Sequence, residues 1–250
     1  MLGLQPQRIR GAMLKRHNSR FQTSAITACS CALFLSMCGI AAKLQAPSHW
    51  NLETVLRELD HESKGFRSLT AKIEQTKVTI VVNDKSTESG QISVRHDDKM
   101  RIEFTDPDPR TILRSGNELY LYNPKIKRVE EYNLGKHRAL VDQFLLLGFG
   151  TSGSELEKGY LVTLLGEETL DNHQVVRLEL TPKSEDVRNQ ISKVHIWLDE
   201  STWLAAQQQF FETGSGDYFI IHYSNIVRNP RLPDDLFKPR WPKGTAHVQP

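Results

Sequence analysis

The chain has 250 residues, of which 25% are charged and 38% hydrophobic, and its formal net charge is +2. This length allows one large domain or two small ones, and the composition excludes collagen-like, fully disordered and polytopic membrane proteins. The small positive charge gives no reason to expect a nucleic-acid partner, and three cysteines are too few for a disulfide framework.

The first 42 residues differ in composition from the rest of the chain. They contain five basic residues and no acidic one, and an apolar stretch rich in small side chains follows Arg20. A basic start, an apolar stretch and small residues behind it are typical of an export signal. We therefore predict that residues 1–42 are an export signal, cleaved near Ala42 or Ala46. Because five of the 32 basic residues and none of the 30 acidic ones lie there, the remainder carries a net charge of −3.

Two alternatives for this segment stay open. The apolar stretch approaches the length of about 20 residues that spans a bilayer, so it could remain as an uncleaved anchor. Cys38 follows Leu35-Ser-Met, which resembles a lipid-attachment site, although Met37 is larger than the residue usually found before an acylated cysteine. All three cysteines lie within this segment. An exported remainder without disulfides has to rely on its apolar core for stability.

The first element after this segment is a helix. Asn51 is a suitable N-cap, and Gly65 is a suitable stop, so we predict a helix that runs through Lys64. Its apolar residues recur at helical spacing and form one stripe: Leu52, Val55, Leu56 and Leu59.

Beyond the helix the apolar pattern changes from a period of 3.6 to a period of 2, which predicts strands. Turn residues separate the segments at a spacing that is typical of an antiparallel meander. We predict one domain over residues 47–245, with these strands: Leu69–Val82, Gly90–Arg95, Lys99–Phe104, Thr111–Ser115, Glu118–Tyr122, Lys127–Tyr132, Leu161–Leu165, Gln174–Thr181, Lys193–Leu198, Ala205–Glu212 and Tyr218–Ile226.

Residues 136–148 interrupt the strand pattern with several large apolar side chains, which predicts a short helix. A flexible loop is expected to follow over Gly148–Gly153. This loop has the spacing G-x-G-x-x-G, but a dinucleotide site needs a βαβ unit, and the strands around it are expected to be antiparallel.

The sequence contains few candidates for catalysis. It has no G-x-S-x-G motif, and its histidines are scattered singly without the spacing of metal ligands. We predict no catalytic residue, no metal and no cofactor. The large apolar surface of the strands leaves two arrangements open, namely one sandwich core or a curved sheet around an apolar pocket that helices cover.

Three segments resemble a known family. They are Phe66-Arg-Ser-Leu-Thr-Ala-Lys-Ile-Glu-Gln75, Lys99-Met-Arg-Ile-Glu-Phe-Thr-Asp-Pro107 and Ser115-Gly-Asn-Glu-Leu-Tyr-Leu-Tyr-Asn-Pro124. Their order and spacing are similar to those of the periplasmic lipoprotein carrier family, which is LolA-like. The resemblance covers residues 50–245, although Ile73 and Met100 stand where the family usually has Phe, and Ile102 stands where it has Trp.

The resemblance implies an α+β fold: an open, strongly curved antiparallel β-sheet, or half-barrel, with helices that cover an apolar cavity. It also implies a periplasmic carrier that shelters the acyl chains of lipoproteins or lipids between the inner and the outer membrane. Arg101 matches the family arginine that holds the lid. The other residues that we expect in the cavity and the lid are Ile73, Leu119, Leu121, Phe144, Leu145, Leu147, Phe219 and Ile221.

Alternation along the strand sets a condition on the role of Arg101. Its side chain must lie on the opposite face from Met100, Ile102 and Phe104. If Arg101 holds the lid of the cavity, these three residues therefore face away from the cavity. A surface salt bridge between Arg101 and Glu103 is the alternative.

The resemblance implies two membrane partners, an inner-membrane export transporter and an outer-membrane acceptor. We expect the carrier to be a monomer. The alternative function is a periplasmic sensor or regulator of envelope stress on the same open sheet, which would bind a membrane protein rather than carry cargo.

Overall fold

The computed structural model describes residues 49–135, 138, 141 and 147–249. Gln45–Pro250 form a compact unit, and every residue of the main apolar core lies inside it. The predicted export signal, residues 1–42, lies outside the described residues, as do Phe144 and Leu145.

Within the described residues the fold consists of twelve strands and a few short helices. The helices are α1 (Leu52–Ser63), α2 (Gly153–Gly159), α3 (Glu185–Arg188) and a 3₁₀ helix (Asp234–Phe237). The strands are β1 (Ser68–Thr79), β2 (Asp84–Arg95), β3 (Lys99–Asp106), β4 (Arg110–Ser115), β5 (Glu118–Asn123), β6 (Arg128–Asn133), β7 (Tyr160–Leu170), β8 (His173–Pro182), β9 (Ile191–Asp199), β10 (Ala205–Glu212), β11 (Tyr218–Arg228) and β12 (Ala246–Val248).

The strands form one open sheet in the order β12-β6-β5-β4-β3-β2-β1-β11-β10-β9-β8-β7. Neighbouring strands are antiparallel, except that β12 runs parallel to β6. Short connections join consecutive strands from β1 to β6 and from β7 to β11, which gives two meanders. The strands β1 and β11 pair near the centre of the sheet and join these two halves. The predicted α+β fold with an open, curved antiparallel sheet is confirmed.

The start of α1 follows from its capping residues. The Asn51 side chain accepts a hydrogen bond from the Thr54 N–H at 2.9 Å, and the Thr54 hydroxyl accepts one from the Asn51 N–H at 3.1 Å. This reciprocal capping box satisfies two N–H groups that the first helical turn leaves free. The helix buries Val55, Leu56 and Leu59, as its apolar stripe predicts.

The segment Gly148–Gly153 differs from its prediction as a flexible loop. Leu147, Gly148 and Phe149 are buried, and α2 begins at Gly153 with Ser152 as its N-cap. The segment is a loop up to Ser152, but it packs into the core, because glycines also occur where the backbone packs closely. A Cβ on Gly148, whose φ is +77°, would stand 2.5 Å from Ile196 Cδ1 and 2.7 Å from the Ala205 Cβ.

The two faces of the sheet carry different structure. On the inner face, alternate strand residues pack with α1, α2 and the segment 147–150 into the main core, which includes Leu69, Met100, Leu178 and Ile196. On the outer face of β3 to β6, the C-terminal tail buries Leu113, Val129 and Phe237. This tail, residues 229–249, contains the 3₁₀ helix and β12.

Candidate functional site

A cavity of 340 Å³ opens on the inner face of the sheet, where β2, β3, β9, β10 and β11 meet α3. This volume lies at the lower end of the range of about 300–1,000 Å³ that is usual for ligand sites. Most of its lining is aliphatic or aromatic. The lining residues are Ile92, Ile102, Asp186, Val187, Gln190, Ile191, Gln208, Phe210, Phe219, Ile221 and Tyr223.

The two polar groups deep in the cavity bond to each other and to the backbone. The Tyr223 hydroxyl donates to Gln208 Oε1 at 2.8 Å, and Gln208 Nε2 donates to the Leu147 carbonyl. Burial raises the pKa of Tyr223, so its hydroxyl keeps the proton that it donates. Because these groups are satisfied within the protein, the cavity presents a largely apolar surface to an occupant.

The cavity reaches solvent at one end. Asp186 and Gln190 line it and are both exposed. They lie in the connection between β8 and β9, beside Ile191 at the start of β9. Phe219, the second residue of β11, lies at the same end of the strands. We call this end of the cavity the mouth.

The rest of the inner face is filled by packed side chains. Trp50 meets Trp203 edge-on with 4.9 Å between ring centroids, and Phe149 meets Tyr223 edge-on at 4.9 Å. Phe149 belongs to the segment 147–150, and Gln208 donates a hydrogen bond to the Leu147 carbonyl of the same segment. One wall of the cavity is therefore fixed to the segment that covers the inner face.

Sequence comparison identifies the family. The family described as "Outer membrane lipoprotein carrier protein LolA" matches residues 64–240, which contain almost the whole sheet and every residue of the cavity.

The chain belongs to the LolA family.

Individual relatives of the LolA family are similar at modest identity. An outer-membrane lipoprotein carrier protein of Dechloromonas aromatica (strain RCB) is 26% identical over 185 residues, which are 74% of this chain and 83% of the relative. The protein of the same name from Chromobacterium violaceum is 25% identical over 216 residues, 86% of this chain and 95% of the relative.

The structure also resembles a solved structure. An uncharacterised conserved protein from Thermus thermophilus superposes with a TM-score of 0.54 at 10% identity, covering 80% of this chain and 100% of that chain. At this identity the likeness extends to the fold alone.

Four of the residues expected in the LolA-type cavity lie at or beside it. Phe219 and Ile221 line it. Ile73, opposite Tyr223 on β1, is buried in the adjoining core, as is Leu147. Phe144 and Leu145, which were expected in the lid, lie outside the described residues.

The other three expected residues lie away from the cavity. Leu119 and Leu121 are on the inner face of β5, where Leu121 pairs with Ile112, but they do not line the cavity. Arg101 points to the outer face, where it bonds to Glu103 Oε1 at 2.6 Å and to the Leu236 carbonyl at 3.4 Å.

The placement of Arg101 does not fit its expected role in the lid. Its neighbour Ile102 lines the cavity, and successive side chains of a strand point to opposite faces. Arg101 therefore joins the tail to the outer face, and Met100, Ile102 and Phe104 face inward rather than outward.

Most of the lining residues were not among those expected in the cavity. Ile102 and Tyr223 share a strand face with other large apolar residues, and this pattern could have identified them. Gln208 stands between Gln207 and Gln209, so nothing in the sequence distinguishes the buried glutamine from its neighbours. The others come together only through strand pairing and the α3 turn.

A second group of polar side chains lies on the outer face. His195 Nε2 lies 2.8 Å from Glu179 Oε2, and its Nδ1 lies 2.8 Å from an Arg177 NH2 group. Arginine can only donate, so Nδ1 accepts and Nε2–H donates to Glu179. Burial lowers the pKa of His195, and the Glu179 hydrogen bond opposes this shift. The arrangement is that of a neutral histidine that joins β8 to β9.

Two other features, a metal site and a membrane-spanning helix, are absent from the described residues. Among them, no group of three or more His, Cys, Asp or Glu side chains is placed to hold a metal ion. In the same part of the chain, no helix is both long and apolar enough to cross a membrane.

Proposed function

We propose that the protein is a non-enzymatic carrier that shelters an acyl chain of a lipoprotein or a lipid in the 340 Å³ cavity. The observation that carries this proposal is an apolar cavity with an open mouth on the inner face of a LolA-family sheet. Each methylene that leaves water contributes about 0.8 kcal/mol. A cavity that stays open at one end lets such a chain enter and leave.

The two polar groups deep in the cavity support a carrier rather than an enzyme. Tyr223 and Gln208 bond to each other, and Gln208 bonds to a backbone carbonyl. A catalytic acid or base needs a free hydrogen-bonding atom that points at the reacting group. These groups serve the protein's own structure instead.

The proposed site of action is the periplasm of a bacterium with two membranes. The basic and then apolar composition of residues 1–42 supports export, and membership of a family named for outer-membrane lipoprotein carriers supports the destination. The proposed partners are acylated lipoproteins or lipids as cargo, an inner-membrane transporter as donor and an outer-membrane acceptor.

Two adjacent residues of β11 allow a matched test of the cavity. Ile221 lines the cavity, whereas Ile220 points to the outer face, and both are half-buried. We would load residues 45–250 with a fluorescent fatty acid and titrate to saturation. We expect 1:1 uptake by the wild type, similar uptake by Ile220→Gln, and at least tenfold weaker uptake by Ile221→Gln.

Two results would contradict the carrier. One is the absence of uptake by the wild type, and the other is equal uptake by both variants. Stable capture of an inner-membrane regulator without any acyl uptake would instead favour the sensor function.

A further inference from the structure

The hairpin between β1 and β2 ends in an apolar tip. Ile80, Val81 and Val82 are 51%, 83% and 68% exposed. Hairpin turns are normally polar, with Gly, Asn, Asp or Ser at the turn, and exposed apolar residues normally occur singly. These three are consecutive. We call residues 80–82 the apolar tip.

The apolar tip is held in place. The Ile80 N–H donates to Asp217 Oδ1 at 2.8 Å, and the Asn83 N–H closes the turn on the Ile80 carbonyl at 3.1 Å. Just below the tip, Lys77 pairs with Glu212 at 3.4 Å. The β10–β11 turn therefore supports the tip from one side, and the aliphatic side chains project from a fixed base.

The apolar tip lies at the end of the sheet that contains the mouth. Lys77 on β1 is paired with Phe219 on β11, and Phe219 lines the cavity. The β10–β11 turn supports the tip through Asp217. The same turn is also bonded to the mouth, because the Thr213 N–H donates a hydrogen bond to the Gln190 carbonyl at 2.9 Å. Tip, turn and mouth thus form one continuous rim.

The charges around the apolar tip nearly cancel. Lys77 and Lys85 are basic, whereas Asp84, Glu212 and Asp217 are acidic, and two of these residues already form the Lys77–Glu212 pair. This balance offers nothing for a charged protein surface or an anionic lipid layer to recognise. Three aliphatic side chains on a narrow projecting turn suit a fluid apolar phase, which needs no complementary groove.

We propose that the apolar tip inserts into the outer part of a lipid bilayer and so holds the mouth of the cavity against the membrane. Apolar side chains that enter the acyl boundary gain binding free energy in proportion to their buried area. The charged stem of the hairpin stays among the headgroups. Uncharged phosphatidylcholine bilayers are sufficient for this contact.

Vesicle flotation tests the inference. Residues 45–250 would be mixed with phosphatidylcholine vesicles, and the bound fraction measured after flotation. The variant Ile80→Thr/Val81→Thr/Val82→Thr keeps the β-branched shape and removes the apolar surface. Val227→Thr is the matched control, because Val227 is also 51% exposed but lies at the opposite end of β11. We expect wild type and control to float, and the triple variant to bind at least tenfold more weakly.

A fluorescent reporter tests the depth of insertion. All three cysteines of the chain precede residue 45, so Val81→Cys creates a single labelling site in residues 45–250. We expect an environment-sensitive dye at this site to shift to the blue with vesicles, and the same dye at Val227→Cys to stay unchanged. Equal responses at the two sites would overturn the inference.

Three further outcomes would overturn bilayer insertion. They are a wild type that does not float, a triple variant that floats as well as the wild type, and a wild-type dimer that the triple variant turns into a monomer. The last would identify the apolar tip as a surface between two copies of the chain. The test uses no cargo, so its failure leaves acyl uptake untouched, and a failure of acyl uptake leaves the membrane contact standing.

Discussion

Replacing Gln208 by leucine tests whether the polar pair in the cavity holds the cover of the inner face. Gln208 is 2% exposed, accepts from the Tyr223 hydroxyl and donates to the Leu147 carbonyl. Leucine has a similar size and makes neither bond. The Tyr223 hydroxyl and the Leu147 carbonyl would both lose a partner in a buried place.

The structure sets the size of the effect. A buried polar group that loses its partner costs about 1–3 kcal/mol, so two such groups lower the free energy of unfolding by about 2–6 kcal/mol. Tyr223→Phe alone leaves Gln208 Oε1 without its donor and costs about 1–3 kcal/mol. In the double variant the tyrosine hydroxyl is gone, so only the Leu147 carbonyl lacks a partner. The double variant should therefore be more stable than Gln208→Leu.

Urea unfolding of residues 45–250 measures all four free energies of this cycle. We expect the double variant to be less destabilised than the sum of the single variants by about 2–6 kcal/mol, because the two single variants together leave three groups without a partner and the double variant leaves one. Additive effects, or a double variant less stable than Gln208→Leu, would refute the coupling between the two residues. We also expect Gln208→Leu to release a bound acyl probe faster, because the covering segment loses its bond to the cavity wall.

Three other changes test separate features of the structure. Gly148→Ala should lower the free energy of unfolding by about 2–5 kcal/mol through a strained backbone and overpacking. Gly214, with φ of +85°, has no neighbour within 4 Å of a Cβ, so Gly214→Ala should cost only about 1 kcal/mol. Equal thermal shifts for the two variants would argue against the close packing of Gly148. Burial lowers the pKa of His195, so the unfolded chain binds its proton more readily and the free energy of unfolding falls as the pH drops below about 6.5. Urea titrations at pH 7 and pH 5 should show a smaller loss of stability for His195→Gln than for the wild type. An identical loss would contradict a buried neutral histidine. Arg101→Leu should leave uptake and release of an acyl probe unchanged, and slower release would restore its role in the lid.

Local sequence patterns predicted most of the secondary structure correctly. The period of 2 and the turn residues between segments place the strands, and the Asn51 cap and the apolar stripe place α1. Both are local effects, because they depend on how a few consecutive residues divide between water and the core. A local pattern misled where it had two possible physical causes, because a glycine can mark either a mobile loop or a close approach of the backbone. The glycines of 148–153 indicated mobility, but two side chains leave no room for a Cβ at Gly148.

The candidate cavity was harder to predict than the strands. Alternation shows which residues of one strand share a face, and it showed that Arg101 and Ile102 cannot both face the cavity. It does not show which of the two faces is the inner one. The order of strands in the sheet decided this, since Ile92, Ile102 and Ile221 come together across β2, β3 and β11.

The sequence by itself determined where the strands and α1 lie, and it indicated an export segment and a family of carriers. The tertiary structure alone decided which residues form the cavity, that Gln208 is a buried polar link while Gln207 and Gln209 face outward, and that the apolar tip stands beside the mouth. The physical reason is the distance along the chain over which each effect acts. Periodicity and capping act between residues a few positions apart, whereas a cavity is formed by side chains from strands more than 100 residues apart, such as Ile92 and Phe219.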